Sequence, residues 1–258
     1  NKPGAGGMLG LDVAAKSTDG HTVAIGFNGP VANAGFLYKK TPYDPARDLK
    51  PIVMTTSQAN VLAVNAEKVP AKTASELATW LKSQAGKANY SSLGNGSSAH
   101  LGGALMNAET GLKAQHVPYR AIAQGLTDLL SGQIMMMFYP YSALQGHIQT
   151  GKLNVMAVAS EKRTSYLPQV PTTAELGFPA IQLTAWFAVY APAGTPRKVV
   201  DTLYAALEKS VNDPDVQRRM AATGTDPYLA GPDEMARFGP SEIARYKRII
   251  QLAGATAD

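Results

Sequence analysis

From Thr22 to the late 180s, short apolar runs alternate with longer stretches of helical periodicity. A chain built this way is read as an α/β protein with mostly parallel sheets, because two parallel strands need a crossover helix between them. Residues 22–26, 52–54, 60–65, 88–93, 114–117, 134–138, 153–159 and 185–191 read as strands. Between them, Thr73 with Glu76 and Thr172 with Glu175 have the spacing that satisfies two helix N-terminal donors reciprocally. Leu101, Leu105, Ala108 and Leu112 form the buried stripe of a helix that Gly111 ends. The Met135-Met136-Met137 triplet reads as core.

From Thr195 onward helical periodicity takes over. Thr195-Pro196 reads as a cap with Pro in the first helical position, above a stripe of Val199, Leu203, Leu207 and Val211. Asp213-Pro214 opens another helix, and residues 233–253 a third that Gly239-Pro240 should break or kink. A helical tail after an α/β middle is expected to pack back on the first segment. The chain then divides into a discontinuous lobe, 1–60 with 187–258, and a continuous lobe, 61–186.

Composition narrows the function classes. With 258 residues, 45% of them hydrophobic and 17% charged, wholesale disorder and a disulfide-stapled miniprotein are both excluded. The absence of cysteine rules out disulfides, thiolate zinc and a cysteine nucleophile, and it permits an oxidising compartment. A net charge of +5 without a dense Lys/Arg cluster gives no nucleic-acid footprint. No apolar run approaches the roughly 18 residues of a membrane span, and the opening lacks the layout of a signal peptide, so any export signal is taken as removed. His21, His116 and His147 show no metal-ligand spacing, so neither metal nor cofactor is expected.

The most informative stretch is Tyr90-Ser91-Ser92-Leu93-Gly94-Asn95-Gly96-Ser97-Ser98-Ala99-His100-Leu101. A strand runs into glycines and serines, and a helix follows at once. Free backbone N–H groups and the helix dipole at such a junction favour an anion, and a carboxylate is the natural guest. The stretch is neither a nucleotide P-loop nor a nucleophile elbow. The alternative is that Ser97 or Ser98 merely caps the helix and the glycines merely turn the chain. His100 reads as a capping or cleft hydrogen-bonder. Arg120, after a strand, is either a ligand contact or a solvated loop charge, and Trp186 either stacks on a ligand or is core.

Asn1-Lys2-Pro3-Gly4-Ala5-Gly6-Gly7, Pro42-Tyr43-Asp44-Pro45 with Asp48, Ser92 to Ser97 with His100-Leu101, and His116-Val117-Pro118-Tyr119-Arg120 come in a set order. Asp128-Leu129 with Gly132, Leu167 to Thr172 with Glu175 and Gly177, and Ala191-Pro192-Ala193-Gly194-Thr195-Pro196 continue it. In that order and spacing the chain resembles, over essentially its whole length, the Bug family of periplasmic solute receptors of tripartite tricarboxylate transporter systems. The resemblance implies a two-lobed periplasmic binding protein of type II, with a mixed, mostly parallel sheet in each lobe. It implies a monomeric, periplasmic receptor that clamps a small organic acid in the interlobe cleft and hands it to a membrane permease, with no catalysis of its own.

Carried over by residue, Ser92, Gly94, Gly96, Ser97, Ser98 and His100 match the second-lobe carboxylate loop. Asn28, Val31 and Asn33 match a first-lobe loop facing the cleft. Tyr119 and Arg120 match a loop after a second-lobe strand, with Ala121 where the family usually has Gly. Tyr139 to Tyr141 stand where the family often has an acidic residue. The family also opens with a strand, helix and strand upstream of the segment matching Asn1, about forty residues at average lengths, so the first lobe is expected to lack them. An effector domain of a LysR-type regulator shares the two-lobe layout without its helix-turn-helix, and an α/β hydrolase or transferase would need a nucleophile, base and orienter that the sequence does not display.

Overall fold

The structure, a computed structural model, describes residues 5–84, 86–164 and 166–255. Most of the opening Asn1 to Gly7 motif therefore lies outside the described residues. The chain forms two compact units. The first takes in the described residues up to Ser57 together with Trp186–Arg248, and the second takes in Gln58–Ala185 and the described residues from Ile249 on.

In the first unit, α1 (Met8–Ala15) precedes β1 (Ala24–Phe27), which pairs antiparallel with β7 (Thr184–Pro192) from Ala24 opposite Tyr190 to Phe27 opposite Phe187. A single π turn, Gly29–Asn33, leads into the short α2 (Ala34–Leu37), and α3 (Pro45–Asp48) leads into β2 (Leu49–Asn65). β7 lies between β1 and β2. The helices α8 (Arg197–Val211) and α9 (Pro214–Ala222) are followed by β8 (Asp226–Ala230), which pairs antiparallel with β2, and by α10 (Pro232–Ala253). Ile52, Val53, Ala191 and Val200 form a buried cluster there, with Leu203 and Leu207 packed on it.

In the second unit the far half of β2 runs antiparallel to β5 (Met136–Pro140) and to β6 (Leu153–Val158). β3 (Asn89–Ser92) pairs in parallel with both β5 and β4 (Gln115–Pro118). The helices are α4 (Ala74–Ser83), α5 (Ser98–Thr110), α6 (Ile122–Ser131) and α7 (Tyr141–Gln149). Ala59, Val61 and Ala63 turn one face of β2 onto a cluster with Leu129, Met137, Tyr141 and Leu144, as the two-residue period of a strand requires.

The α/β class is as expected, but parallel pairing does not dominate. Among the described strands it joins β3, β4 and β5, which α5 and α6 connect as crossovers, with one further parallel bridge between Val158 and Thr172, whereas β1 with β7 and β2 with β5, β6 and β8 are antiparallel. Two runs read as separate strands are one 17-residue strand, β2. The helical tail contains β8, whose Asp226-Pro227-Tyr228 start gave no apolar alternation.

Local signals fared unevenly. Thr73 caps α4 by accepting the Glu76 N–H at 3.2 Å. Thr172 and Glu175 close a full reciprocal box, at 2.7 and 3.0 Å, yet only turns follow it, because Thr172 and Thr173 are held back against Val158. On α8 the buried stripe runs through Val200 rather than Val199, and Pro196 is itself the cap residue. α10 is continuous through Pro240.

Candidate functional site

β3, β4 and β5 run in one direction, so Ser92, Pro118 and Pro140, their last residues, share one edge of the second unit's sheet. Each strand is followed by a helix. Residues 93–97 connect β3 to α5, residues 119–121 connect β4 to α6, and β5 passes directly into α7. Three helix N-termini, with their orphan N–H groups and partial positive charge, therefore gather at the carboxyl ends of parallel strands, where α/β sheets bind ligands. The first two loops are stitched together by the Tyr119 N–H donating to the Ser92 carbonyl at 2.8 Å.

The β3–α5 loop is shaped by its own side chains. Ser92 Oγ accepts the Gly94 N–H at 3.0 Å and lies 2.6 Å from His116 Nε2. Ser97 Oγ accepts the His100 N–H at 3.3 Å and donates to the Gly94 carbonyl at 2.8 Å. Gly94 and Gly96 sit at φ of +103° and +80°, where a side chain is strained. His100 Nδ1 accepts the Gly96 N–H at 3.0 Å, and its ring stacks on His116 with centroids 4.2 Å apart. His116 also stacks on Tyr90, with centroids 5.2 Å apart. Burial lowers the pKa of both histidines, that of His116 to about 4 with His100 as the second cause, so both rings are neutral at physiological pH.

The amides of Gly94 and Gly96, read as donors to a carboxylate, are thus taken up inside the loop, together with Ser92, Ser97 and His100. What remains for an outside acceptor is the start of α5. The N–H groups of Ser98 and Ala99, and the Ser98 hydroxyl, have no acceptor among the described residues. On the neighbouring loop Arg120 is exposed and makes no hydrogen bond or ion pair among the described residues. Tyr119 is committed, its hydroxyl donating to Asp128 Oδ2 at 2.6 Å, and desolvation followed by that carboxylate pushes its pKa up to about 12. Tyr139, half-buried, packs beside the cluster around Val61.

In the first unit Asn28, Val31 and Asn33 lie in a helical turn rather than an open loop, and all three are buried. Asn28 Nδ2 donates to the Tyr246 hydroxyl at 3.0 Å. Arg245 lies over the Tyr246 ring at 4.6 Å and donates to Glu242 at 2.6 and 2.9 Å. Trp186 Nε1 donates to the same carboxylate at 2.9 Å, which makes Trp186 a core residue. Sequence reasoning missed this chain, because Glu242, Arg245 and Tyr246 look like one turn of an ordinary surface helix.

Residues 1–255 match the model of the tripartite tricarboxylate transporter family receptor, TctC. The chain belongs to this family. It is 33% identical over 257 residues to the protein BugT of Bordetella pertussis, covering 99% of this chain and 78% of that one. Its fold is similar to Rpa4515 of R. palustris solved with adipate, at a TM-score of 0.93 and 29% identity, covering 99% of this chain and 86% of the other. It is also similar to MatC of Rhodopseudomonas palustris with bound malate, at 0.88 and 29%, covering 96% and 85%.

TctC proteins are solute receptors and not enzymes, and the Ser92–His116 pair fits that reading. Nucleophilic catalysis needs a base held by an orienting group and a reachable hydroxyl. Here Ser92 is buried, and His116 has no carboxylate partner among the described residues. Its lowered pKa also makes it a weak base. Among the described residues no group of three His, Asp or Glu side chains is placed to hold a metal.

Proposed function

We propose that this TctC receptor captures a small organic acid in the periplasm and delivers it to a membrane permease, acting as a monomer. The observation that carries the reading is the gathering of the α5, α6 and α7 N-termini at one sheet edge, with Arg120 and the start of α5 free to meet a carboxylate. Relatives solved with adipate and malate support a carboxylate of that size. Ser98, with the Ser98 and Ala99 amides and Arg120, is assigned to the ligand. Ser92, Gly94, Gly96, Ser97 and His100 shape the loop, and Tyr119 and Tyr139 wall it. Asn28, Val31 and Asn33 stay assigned by resemblance alone, and the lobe limits 1–60 with 187–258 and 61–186 stay as read from the helical tail.

Native mass spectrometry of the protein as purified, followed by titration calorimetry against C4 to C6 dicarboxylates, tests this. A retained acid, or saturable binding that weakens in Arg120→Gln, supports it. Binding to none of these acids, with the protein folded, overturns it.

A further inference from the structure

Asn60 is fully buried in β2, and neither its Nδ2 nor its Oδ1 has a hydrogen-bond partner among the described residues. Its backbone is satisfied, the N–H donating to Leu183 at 3.0 Å and the carbonyl accepting from Ala159 at 2.8 Å. The defect therefore lies in the amide alone. A buried amide with both ends unmatched is costly, and folded chains rarely keep one without a use for it.

Its position supplies the use. Asn60 stands opposite Pro140, the last residue of β5, and so at the sheet edge where α5, α6 and α7 begin. Leu62, two residues on, stands opposite Phe138, and Phe138 lies beneath Gly102 of α5. By the two-residue period of the strand, Asn60 is on the face that α5 covers. β3 ends level with Phe138, and α5 passes over Phe138 at Gly102, so its first turn, four residues earlier, lies beyond Phe138 towards Pro140. Pro140 also offers α7 no side-chain cap.

From this geometry we propose that the Asn60 amide reads a polar substituent of the bound acid, an inference that rests on the receptor function proposed above. A carboxylate satisfies only the Nδ2 donors. The Oδ1 acceptor needs a hydrogen from the ligand, so a hydroxy or amino acid fills both ends where a plain diacid leaves one unmatched.

The test is calorimetry of wild type, Asn60→Leu and Gly96→Val with succinate, its hydroxy derivative malate and its amino derivative aspartate, alongside melting temperatures without ligand. The expected result is wild-type preference for malate or aspartate over succinate, the favoured one identifying hydroxyl or ammonium. In Asn60→Leu that preference should fall at least tenfold while the melting temperature holds or rises, since an apolar side chain of similar size removes the unmatched amide. An unchanged preference in Asn60→Leu, with binding lost in Gly96→Val, overturns this proposal and leaves the receptor reading standing. No binding by wild type overturns both. Where Asn60→Leu does not fold, Asn60→Ser is read by the ligand preference alone.

Discussion

His100 Nδ1 accepts the Gly96 backbone N–H at 3.0 Å, and the same ring stacks on His116. The acceptor nitrogen must be unprotonated, so the shape of the loop depends on a neutral imidazole pair. Both histidines have pKa values lowered by burial, His116 to about 4. Above pH 6.5 neither the folded nor the unfolded chain holds these protons, and the stabilisation is fully present. Between 6.5 and about 4 the unfolded chain binds protons that the folded chain refuses, so stability falls as pH falls through that window. The full shift at His116 corresponds to ~3 kcal/mol, which solvent screening of a half-buried ring reduces to about 1–2 kcal/mol. Urea titrations at pH 7.5 and 4.5 should show this loss, and His116→Gln should flatten it. A slope unchanged in that variant means other groups set the pH dependence.

Ser97 and Ser98 are neighbours with opposite duties. Ser97 caps α5 and holds the Gly94 carbonyl, so Ser97→Ala should cost about 1 kcal/mol of folding stability. Ser98 has no partner for its hydroxyl among the described residues, so Ser98→Ala should leave the melting temperature alone. Its acid affinity should fall by about 0.5–1.5 kcal/mol, one hydrogen bond. Thermal melts and calorimetry on the two variants separate the roles, and equal melting shifts count against the assignment.

Those two serines also show where the sequence is readable. The strand, the glycines and the helix start were legible because each has a local signature. Which serine does which was not, since that depends on the loop, with Gly94 and Gly96 at positive φ, folding the Gly94 carbonyl back onto Ser97. The link from Asn28 through Tyr246 to Glu242 and Trp186 spans more than 200 positions and leaves no local trace. The pairing sense of β2 was hidden for a related reason: an apolar run reports burial, and its partners are chosen by topology. Asn60 looked like an ordinary polar residue in a strand until its neighbours were known.

Gly102 and Gly103 show tertiary packing overriding helix propensity. An isolated helix would gain about 1 kcal/mol from Ala at either position. A Cβ at Gly103, however, would run into the Tyr90 ring, and one at Gly102 would come within 2.6 Å of Leu183 and 2.7 Å of Phe138. α5 lies so close to β3 and β5 because both residues lack a side chain. Gly103→Ala should therefore destabilise by about 1–3 kcal/mol despite its propensity, and it should shift Tyr90 against His116. Denaturant melts check the sign, and a stabilised Gly103→Ala would show that α5 has room to move.

Glu242 is a buried carboxylate of the first unit that holds two partners, Arg245 and Trp186. Removing it by Glu242→Ala takes the counter-charge from the guanidinium and the acceptor from the indole N–H together. Breaking a buried pair costs about 3–5 kcal/mol, and the 32% exposure of the Arg245 side chain brings the expectation to about 2–3 kcal/mol. The loss should reach the π turn, because Arg245 packs on Tyr246 and Tyr246 accepts the hydrogen bond from Asn28. Replacing the ion pair, Glu242→Leu with Arg245→Met, removes both charges and leaves only the Trp186 N–H without its acceptor, so it should recover part of the stability. If Asn28 serves the ligand by being held in place, the double variant should still bind acid more weakly than wild type. Hydrogen exchange over residues 28–33 in the three proteins decides it: protection lost in Glu242→Ala and only partly restored in the double variant is the expected pattern. Unchanged protection in both would show that the turn is fixed by its own packing around Val31 and not by α10.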